Sequence, residues 1–557
     1  MADNSPQPWV DGLTMGAVLA ATARRHSTGE ALVFPQLGRR WTWCEFAAEV
    51  DAAARGLLAL GIARGEHVAI WATNVPQWVL LQFAAARMGA VLVNINPAYR
   101  PFELEYVLNQ SDSVALFLVD EFKTSNYFTM LAEVCPEIAT AQGGTVQSPK
   151  FPQLRKVIAL KGNSPPGLLT WEDMVAAGSQ VPAARLEEIA VGLSCHDPIN
   201  IQYTSGTTGF PKAAMLSHRN LLLNAFHVGE CQKLTAADRL CIPVPFYHCF
   251  GCVLGTLACV VHGTTMVIPA EYFQARPTLD ALEHERATAI YGVPTMYIAQ
   301  LQEPSLAGRK FALRTGIMSG APCPIEVMRQ VIDKLGPGEM TIAYGQTEAS
   351  PVITQTRTDE PLSVRVETVG QPLPGVEVKI VDPATGHELA DGEQGELCGR
   401  GHIVMLGYYK NPEATAAAID QDGWLHTGDL AVRLPTGHYK ITGRLKDMVI
   451  RGGENIYPRE IEEFLFTHPA IEQAAVVGLP DAKYGEELCA WVKLKAGTTA
   501  NEDEIRAFCK AKLAHYKVPR YVKFVTAFPQ TVTGKIQKFK IRDLMKEELG
   551  LAEQKTA

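Results

Sequence analysis

The sequence predicts an α/β fold, in which a large N-terminal domain of layered β-α-β sheets with a β-rich subdomain is followed by a small α+β C-terminal domain. Three observations predict it. Strand-like and helix-like segments alternate through the first two-thirds of the chain, short strands and turns follow from about Val376, and a compact α+β unit ends the chain. With 557 residues, the chain is also too long for one ordinary core.

The first β-α-β unit lies between residues 67 and 95. Residues 67–73 (HVAIWAT) are typical of a buried strand, Pro76–Met88 has the pattern of an amphipathic helix that Gly89 ends, and residues 90–95 form the next strand. Such a unit favours a parallel pair of strands with a right-handed crossover. The same alternation returns in strands 239–243, 289–292 and 316–319 and in helix 279–285.

The C-terminal part has a different pattern. The stretches VEVKIVD and GELCGR predict a β-rich subdomain of short strands. The tail then predicts helices at 458–466 and 502–513 and strands at 473–478, 488–494 and 521–525. We place the domain boundary in the charged segment 443–446, so that the predicted domains span residues 1–444 and 445–557.

Composition excludes several classes of protein. The chain is 47% hydrophobic and 20% charged, as soluble globular proteins are, and its net charge of −8 argues against nucleic acid as a main partner. The N-terminus lacks the basic and apolar regions of a secretory signal. The longest apolar run, 249–261, is too short to span a bilayer and predicts a buried helix.

The twelve cysteines are few for this length and scattered, which is typical of a reducing compartment. The pair Cys249 and Cys252 forms a CxxC without the second half of a zinc site, so we interpret it as part of a core helix. Any metal is expected to arrive with a nucleotide. These features predict a cytoplasmic protein, and an organelle matrix stays open although no Arg-rich transit segment is visible.

The most informative segment is residues 203–212, YTSGTTGFPK. Its hydroxyls, glycines and terminal lysine can surround a polyphosphate with N–H groups, O–H donors and one positive charge. The alternative is a flexible Ser/Thr/Gly connector, which the stiff Pro211-Lys212 ending disfavours. A Walker loop is excluded because Ala213 follows the lysine. The candidate ligands are Thr204, Ser205, Gly206, Thr207, Thr208, Gly209 and Lys212.

Two further motifs fit a nucleotide. In AYGQTE, Tyr344 can stack on a purine, Thr347 can donate to a phosphate, and Glu348 can hold Mg²⁺, although a strand end with a surface Glu explains it nearly as well. In WLHTGD, Asp429 can accept both hydroxyls of a ribose, and a simple Gly-Asp turn is the alternative.

Three more motifs carry charged or aromatic groups. Arg444 in GRLKD could reach a ribose or phosphate, or simply mark a charged domain boundary. Lys535 in TVTGK follows a glycine turn, where a lone lysine usually serves solubility. His248 lies among aromatic residues in PFYHCFG, a setting that by itself favours a core histidine.

Together, and in this order, these motifs resemble those of the adenylate-forming superfamily, which includes acyl-CoA synthetases, luciferases and adenylation domains. The resemblance covers roughly residues 12–548, with YTSGTTGFPK, YGQTE, TGD, GRLKD and TGKI where that superfamily has them. The stretches LVFPQLGRRWTWCEF and LVNINPAYRPFELEYVLNQSD are most similar to medium- and long-chain fatty acyl-CoA synthetases. The resemblance implies that ATP and a fatty acid form an acyl adenylate, whose acyl group is transferred to coenzyme A.

The resemblance also assigns roles to residues. It implies that the 203–212 loop holds the β- and γ-phosphates, Thr347 contacts the α-phosphate, Glu348 binds Mg²⁺, and Lys535 bridges the carboxylate and the α-phosphate. The other implied ligands of the nucleotide are Tyr344 and Gly320-Ala321-Pro322 around adenine, and Asp429 and Arg444 at the ribose.

The resemblance further implies a mobile C-terminal domain that swings about Lys446 and exchanges Lys535 for the 451–455 loop, in which Gly453 lines the pantetheine channel. The implied acyl pocket involves His248, Phe250, Val293, Met296, Gly320 and Gly345. Glycine at two wall positions is expected to leave room for an aliphatic chain.

Several alternatives stay open at this stage. The chain could be an acyl-AMP ligase that loads a carrier protein, a ligase for aryl or branched acids, or a non-catalytic nucleotide- or acyl-binding protein on the same fold. We expect no transmembrane segment, while a fatty substrate would favour weak peripheral contact with a membrane. Monomer and homodimer are both compatible with the sequence.

Overall fold

Two large sheets dominate the computed structural model, which describes residues 7–551 except 163, 205–210, 322, 453, 482 and 533. In spatial order, the nine-stranded sheet consists of Gln371–Pro372, Val352–Gln355, Glu339–Gly345, Thr315–Met318, Ala289–Gly292, Arg239–Cys241, Thr265–Val267, Glu30–Phe34 and Arg39–Thr42. The eight-stranded sheet consists of Gly407–Tyr408, Lys212–Ser217, Pro198–Thr204, Val91–Asn94, His67–Trp71, Ser113–Leu118, Lys156–Ala159 and Leu169–Thr170. In each sheet the central strands are parallel and antiparallel strands lie at an edge.

Smaller sheets follow in the C-terminal part of the chain. An antiparallel four-stranded sheet contains Val376–Val381, Gln394–Gly401, Leu425–Arg433 and Tyr439–Arg444. A five-stranded sheet contains Glu454–Ile456, Val449–Arg451, Gly485–Leu494 and Ile471–Asp481, with Tyr521–Phe524 parallel to the third of these. A short hairpin joins Glu121–Phe122 to Ser125–Asn126.

The α-helices cover the sheets. Within the described residues they are Met15–Arg25, Trp43–Ala59, Pro76–Met88, Pro101–Gln110, Tyr127–Val134, Trp171–Gly178, Ala184–Val191, His218–Cys231, Ala258–His262, Ala275–His284, Pro294–Gln302, Ile325–Leu335, Leu362–Glu367, Pro412–Ala418, Pro458–Phe466, Glu502–Lys510 and Lys538–Leu549.

The first β-α-β unit has the predicted form. Pro76 occupies the first turn of its helix, where its missing N–H costs nothing, and Gly89 ends the helix in the left-handed region at φ +75°. The flanking strands His67–Trp71 and Val91–Asn94 pair in parallel. The α/β class, the layered sheets and the β-rich subdomain are therefore confirmed.

The apolar run at 249–261 is a buried helix, as predicted, but its first part is wound unusually wide. Phe250–Leu257 is π-helical and entirely buried, and Ala258–His262 continues it as an α-helix. Wide turns of this kind are often found beside functional sites. Here the helix begins directly after His248.

No helix in the described part of the chain is long and apolar enough to cross a membrane.

The hydrophobic core is divided. One large cluster contains described residues between positions 10 and 441, and two small clusters contain residues between 449 and 545. We call the parts built on these clusters the large lobe and the small lobe. The short 3₁₀ turn Leu445–Asp447 lies between them. The exact boundary at 444/445 stays a prediction.

Candidate active site

The candidate site lies where strands of both large sheets end. Pro198–Thr204 ends at the phosphate-type loop, and Glu339–Gly345 ends just before the turn that carries Glu348. Thr204 Oγ1 donates a hydrogen bond of 3.0 Å to Glu348 Oε1. The ends of strands in open α/β sheets are the usual place for ligands, because backbone and side chains there face a crevice.

Tyr408 also belongs to this end of the site, although no sequence motif pointed to it. Its hydroxyl donates to the same Glu348 oxygen at 2.8 Å, and Lys212 Nζ lies 5.0 Å from the centre of its ring. The strand Gly407–Tyr408 pairs with Lys212–Ser217, and this pairing brings Tyr408 to the loop. A lone tyrosine in GYY carries no local signal of such a role.

A second group of side chains forms the ribose-type end. Asp429 and Arg444 are register partners on adjacent strands, and Arg444 Nε donates to Asp429 Oδ1 at 2.7 Å. Tyr344 donates its hydroxyl hydrogen to Asp429 Oδ2 at 2.8 Å. Burial, and then the nearby Asp429 carboxylate, raise the pKa of Tyr344 well above its usual value, so the phenol stays a donor. These bonds tie together three residues that the sequence had predicted separately.

Glu396 holds the turn on which Asp429 lies, and it too was missed by sequence reasoning. Glu396 Oε1 accepts the Gly428 N–H at 2.8 Å, and Glu396 Oε2 lies 2.9 Å from His426 Nδ1. Cys398 Sγ lies 3.4 Å from the same His426 nitrogen. Potential metal-ligand atoms of Glu396, Cys398 and His426 lie within 4.8 Å of one another, but hydrogen bonds already account for these contacts.

Lys535 reaches the site from the small lobe. Its turn docks on the large lobe, where Val532 packs against the large core and the Gly534 carbonyl lies 3.5 Å from Thr295 Oγ1. Gly534 has φ +79°, and a Cβ there would collide with Thr295 Oγ1, so the close approach requires glycine.

The environment of Lys535 lowers its proton affinity. The side chain is solvent-accessible but lies in the cleft between the lobes. The protein on both sides of the cleft excludes part of the water around the ammonium group, and this partial desolvation, followed by the positive charge of Arg444, lowers the pKa of Lys535 to about 8. The charges of Asp429, Lys446 and Asp447 also act on Lys535, which places it at the ribose-type end of the site.

His248 is close enough to Lys535 for the charge of the lysine to act on it. Its Nδ1 accepts the backbone N–H of Phe250 at 3.1 Å, so in the neutral ring the hydrogen is on Nε2. Burial, and then the Lys535 charge, lower the pKa of His248 to about 4. The ring is therefore a neutral N–H donor near pH 7. Cys249, its neighbour, lies with Sγ 3.8 Å from Thr347 Oγ1 and so joins this segment to the Glu348 turn.

The predicted acyl-pocket side chains are buried. Phe250, Val293 and Met296 are each 4% exposed, and the Phe250 ring stacks on Tyr291 with 5.6 Å between centroids. The backbone, however, gives another explanation for the glycines at positions 320 and 345, which were predicted to leave room for an acyl chain. A Cβ at Gly345 would collide with the Pro351 carbonyl, and Gly320 has φ +83°. Both glycines are required by the backbone, so they give no evidence of room for a chain.

The remaining predicted residues are placed as follows. Thr347 is buried and Ala321 follows Gly320 in a bend, while Lys446 is exposed in the 3₁₀ turn between the lobes. Ser205, Gly206, Thr207, Thr208, Gly209, Pro322 and Gly453 lie outside the described residues.

The large lobe thus supplies both ends of a nucleotide-type site, and the small lobe delivers one lysine into the cleft between them. A fold and site of this kind define an adenylate-forming enzyme, which activates a carboxylate by attaching AMP.

The comparisons agree. The family model described as AMP-binding enzyme matches residues 19–409, and the one described as AMP-binding enzyme C-terminal domain matches residues 460–535. YngI of Bacillus subtilis (strain 168), provisionally named an acyl-CoA synthetase, is 50% identical over 97% of this chain and 98% of its own length. The medium-chain acyl-CoA ligase ACSF2, mitochondrial, of Bos taurus is 44% identical over 97% of this chain and 88% of its own.

Among solved structures, ATP-bound MatB from Rhodopseudomonas palustris matches with a TM-score of 0.82 at 29% identity, covering 96% of this chain and 100% of that one. The chain therefore belongs to the AMP-binding enzyme family, within which it is an AMP-forming acyl-CoA ligase that uses ATP and CoA.

Proposed function

We propose that this ligase activates a medium- to long-chain fatty acid as its acyl adenylate and transfers the acyl group to CoA. The observation that carries the proposal is the position of Lys535 in the cleft, where the charges of Arg444 and Asp429 act on it and its own charge acts on His248. The similarity to a relative named medium-chain acyl-CoA ligase supports the substrate class.

In the first half-reaction, a carboxylate oxygen of the fatty acid attacks the α-phosphorus of ATP. The new O–P bond forms as the bond to the β-phosphate oxygen breaks and pyrophosphate leaves. Two anions must approach each other, so the protonated Lys535 ammonium bridges them and neutralises the charge that develops. The His248 Nε2–H donates to the carboxylate and orients it. Asp429 and Arg444 hold the ribose.

The Glu348 end of the site fits Mg²⁺. The Thr204 and Tyr408 hydroxyls hold the Glu348 carboxylate in place by hydrogen bonds, and carboxylate oxygens are ligands that Mg²⁺ prefers in proteins. When bound, the ion would neutralise phosphate charge. Glu348 would hold it, and Lys212 would add a positive charge beside the leaving pyrophosphate.

In the second half-reaction, the CoA thiolate sulfur attacks the acyl carbon, the thioester bond forms, and AMP leaves with the electron pair of the broken C–O bond. We propose that the small lobe swings about Lys446 between the steps. The swing would remove Lys535 and bring the segment after Val449–Arg451 to the cleft, including Gly453. The separate cores of the two lobes support such a motion.

An aliphatic acid suits the walls of the proposed acyl pocket. The side chains at these walls offer apolar surface and no charge to pair with a polar substrate; they are Phe250, Tyr291, Val293 and Met296.

We also propose that the protein works in the cytoplasm. All twelve cysteines are free thiols, as expected in a reducing compartment, which an organelle matrix also provides.

A pyrophosphate-release screen over straight-chain acids from C2 to C18, with aryl and branched acids added, tests the proposal. We expect the highest kcat/KM for medium or long straight chains. Parallel product assays with CoA and with a carrier protein identify the acceptor. Preference for an aryl acid, or acyl transfer to the carrier only, would refute the proposed substrate or acceptor.

A further inference from the structure

The segment that carries His248 is fixed by two buried asparagines from another part of the large lobe. Asn74 lies between strand His67–Trp71 and helix Pro76–Met88 and is 1% exposed, and Asn94 ends strand Val91–Asn94 and is 2% exposed. Both belong to the eight-stranded sheet or its connections, whereas His248 follows a strand of the nine-stranded sheet. The contacts therefore join the two large sheets. We call residues 244–251 the His248 loop.

Asn74 binds the loop with both ends of its amide. Its Nδ2 donates to the Val244 carbonyl at 3.0 Å, and its Oδ1 accepts the Phe246 N–H at 2.9 Å. A side-chain amide here takes the place of a neighbouring strand, because it satisfies one backbone acceptor and one backbone donor. Val244 and Phe246 are fully buried, so these groups have no access to water.

Asn94 binds the next peptide along the loop. Its Nδ2 donates to the Tyr247 carbonyl at 3.1 Å, immediately before His248. Its Oδ1 accepts from Asn200 Nδ2 at 3.0 Å, which fixes the orientation of the Asn94 amide. Three hydrogen bonds from two side chains therefore reach the three residues that enter the His248 turn at positions 244, 246 and 247.

Hydrogen bonds within the His248 loop then orient the imidazole ring. His248 N donates to the Pro245 carbonyl at 3.2 Å, and Gly251 N donates to the His248 carbonyl at 2.8 Å. A Cβ at Gly251 would collide with the Pro245 carbonyl, so the turn is closed on itself. Because the Phe250 N–H also bonds to His248 Nδ1, the ring has one tautomer and one orientation for as long as this backbone holds.

We propose that Asn74 and Asn94 are positioning residues for the first half-reaction. They fix the backbone at 244–247 so that the His248 Nε2–H points at the substrate carboxylate, without touching substrate themselves. The inference rests on the proposed function of His248. It explains why two fully buried amides, costly to bury unless fully bonded, lie at this place in the core.

A double-mutant cycle of Asn74→Ala and His248→Ala tests the inference through adenylate formation, with pyrophosphate release as the readout. Asn74→Ala should raise the KM for the acid about tenfold or more and leave the KM for ATP near the parent value, since small misplacements of a binding group have effects of this size. In the His248→Ala background, Asn74→Ala should produce no further rise. Asn94→Ala should behave in the same way.

Asn74→Asp covers the case in which Asn74→Ala fails to fold. It has nearly the same shape and keeps the acceptor for the Phe246 N–H, but it replaces the donor to the Val244 carbonyl with a buried carboxylate oxygen. Thr22→Val is the matched control, because Thr22 Oγ1 donates to the Val260 carbonyl at 2.7 Å in the helix that follows the loop. This variant should lower Tm and leave both KM values unchanged.

The two possible failures are distinguishable. If His248→Ala leaves the KM for the acid unchanged, the proposed role of His248 is wrong. If His248→Ala raises that KM but the Asn74 effect persists in full in the double variant, the role of His248 stands and the positioning role is refuted. An equal rise in KM for ATP and for the acid in Asn74→Asp would also refute it, because a general loss of structure produces that pattern.

Discussion

At the scale of single residues, the Glu348 carboxylate illustrates how the site is prepared for a ligand. One of its oxygens accepts hydrogen bonds from Thr204 and from Tyr408, which lie on two different strands. These donors fix the rotamer of the carboxylate before any ligand arrives. Hydrogen bonds to a charged group are worth about 1.5–3 kcal/mol, so each hydroxyl has a measurable share in that orientation.

Tyr408→Phe is therefore expected to weaken the Mg²⁺-dependent binding of ATP by about tenfold to a hundredfold, the factor that corresponds to one charged hydrogen bond. Titration with Mn²⁺, followed by its magnetic resonance signal, measures the effect without turnover. Tyr409→Phe is the control, because the neighbouring hydroxyl donates to Asp112 at 2.8 Å instead. Equal effects of the two substitutions would show that Tyr408 has no special link to Glu348.

Lys535 gives adenylate formation a pH dependence. The proposed first half-reaction uses Lys535 as a protonated ammonium, and desolvation lowers the pKa of Lys535 to about 8. The rate should hold below pH 8 and fall as the pH rises above it. Thioester formation from a supplied acyl adenylate should lack this decline.

Lys535→Ala should lower adenylate formation about 10²–10³-fold, as expected for the loss of a preorganised charge, and should spare the transfer step. Pyrophosphate exchange into ATP and thioester formation measure the two steps separately. Lys540→Ala, a nearby exposed lysine on helix Lys538–Leu549, controls for loss of charge. Parental exchange in Lys535→Ala would show that the bridging role is wrong.

At the scale of elements, the turn Leu445–Asp447 is the short connection between the two lobes about which the proposed swing would take place. Lys446 is exposed in it, directly after strand Tyr439–Arg444 and shortly before strand Val449–Arg451. Its partners are ordered sheets, so a change of lobe orientation must be absorbed by the few backbone angles of the turn.

Lys446→Pro should form the acyl adenylate and fail at transfer to CoA, because proline restricts the backbone angles of its own and the preceding residue. Lys446→Ala, which removes the charge and keeps the backbone freedom, should retain both steps. Separate assays of the half-reactions decide the matter. A proportional loss of both steps in the proline variant would argue against a hinge at this position.

Elements with strong local signals could be predicted to the residue, and those that depend on distant partners could not. Pro76–Met88, Pro458–Phe466 and Ala289–Gly292 have the predicted bounds, because proline, glycine and apolar periodicity mark their ends. Helix 502–513 ends at Lys510 instead, and strands 473–478 and 488–494 are longer because they pair with each other. Strand length depends on the partner, which the local sequence does not encode.

The candidate site follows the same division. Thr204, Glu348, Asp429 and Arg444 could be selected because each lies in a motif with recognisable chemistry, and Lys535 could be selected because its motif resembles one of the superfamily. Tyr408 and Glu396 could not, since each acts on a residue far along the chain and lies in a stretch without a pattern of its own. For the two glycines of the predicted pocket, backbone geometry is a sufficient reason, so the room for an aliphatic chain stays a prediction.

At the scale of the whole molecule, buried histidines make stability depend on pH. His218, His227, His262 and His402 lie in the large lobe, and burial lowers the pKa of each to about 4. In the unfolded chain the pKa of histidine is about 6.5, so the unfolded state binds more protons between these values. Stability is therefore complete above pH 6.5 and is lost as the pH falls towards 4.

We expect Tm to fall steadily between pH 6.5 and 4.5, with each histidine contributing up to about 3 kcal/mol at the acid end. Calorimetry across this range measures the effect. His402→Gln, which removes one titrating ring from the buried His227–His402 pair, should reduce the slope, whereas substitution of the exposed His196 should not. A Tm that stays flat or rises on acidification would contradict the assignment.

The division of the hydrophobic core also has a consequence for how the molecule responds to heat. Lys535 belongs to the lobe with the smaller clusters, and its turn meets the large lobe at Val532 and Gly534. Parts of a protein with smaller hydrophobic cores unfold at lower temperature. Moderate warming would therefore separate Lys535 from the nucleotide site before the large lobe unfolds. The ligase would then be reversibly inactive, because it would still bind ATP in the large lobe and would regain its activity on cooling.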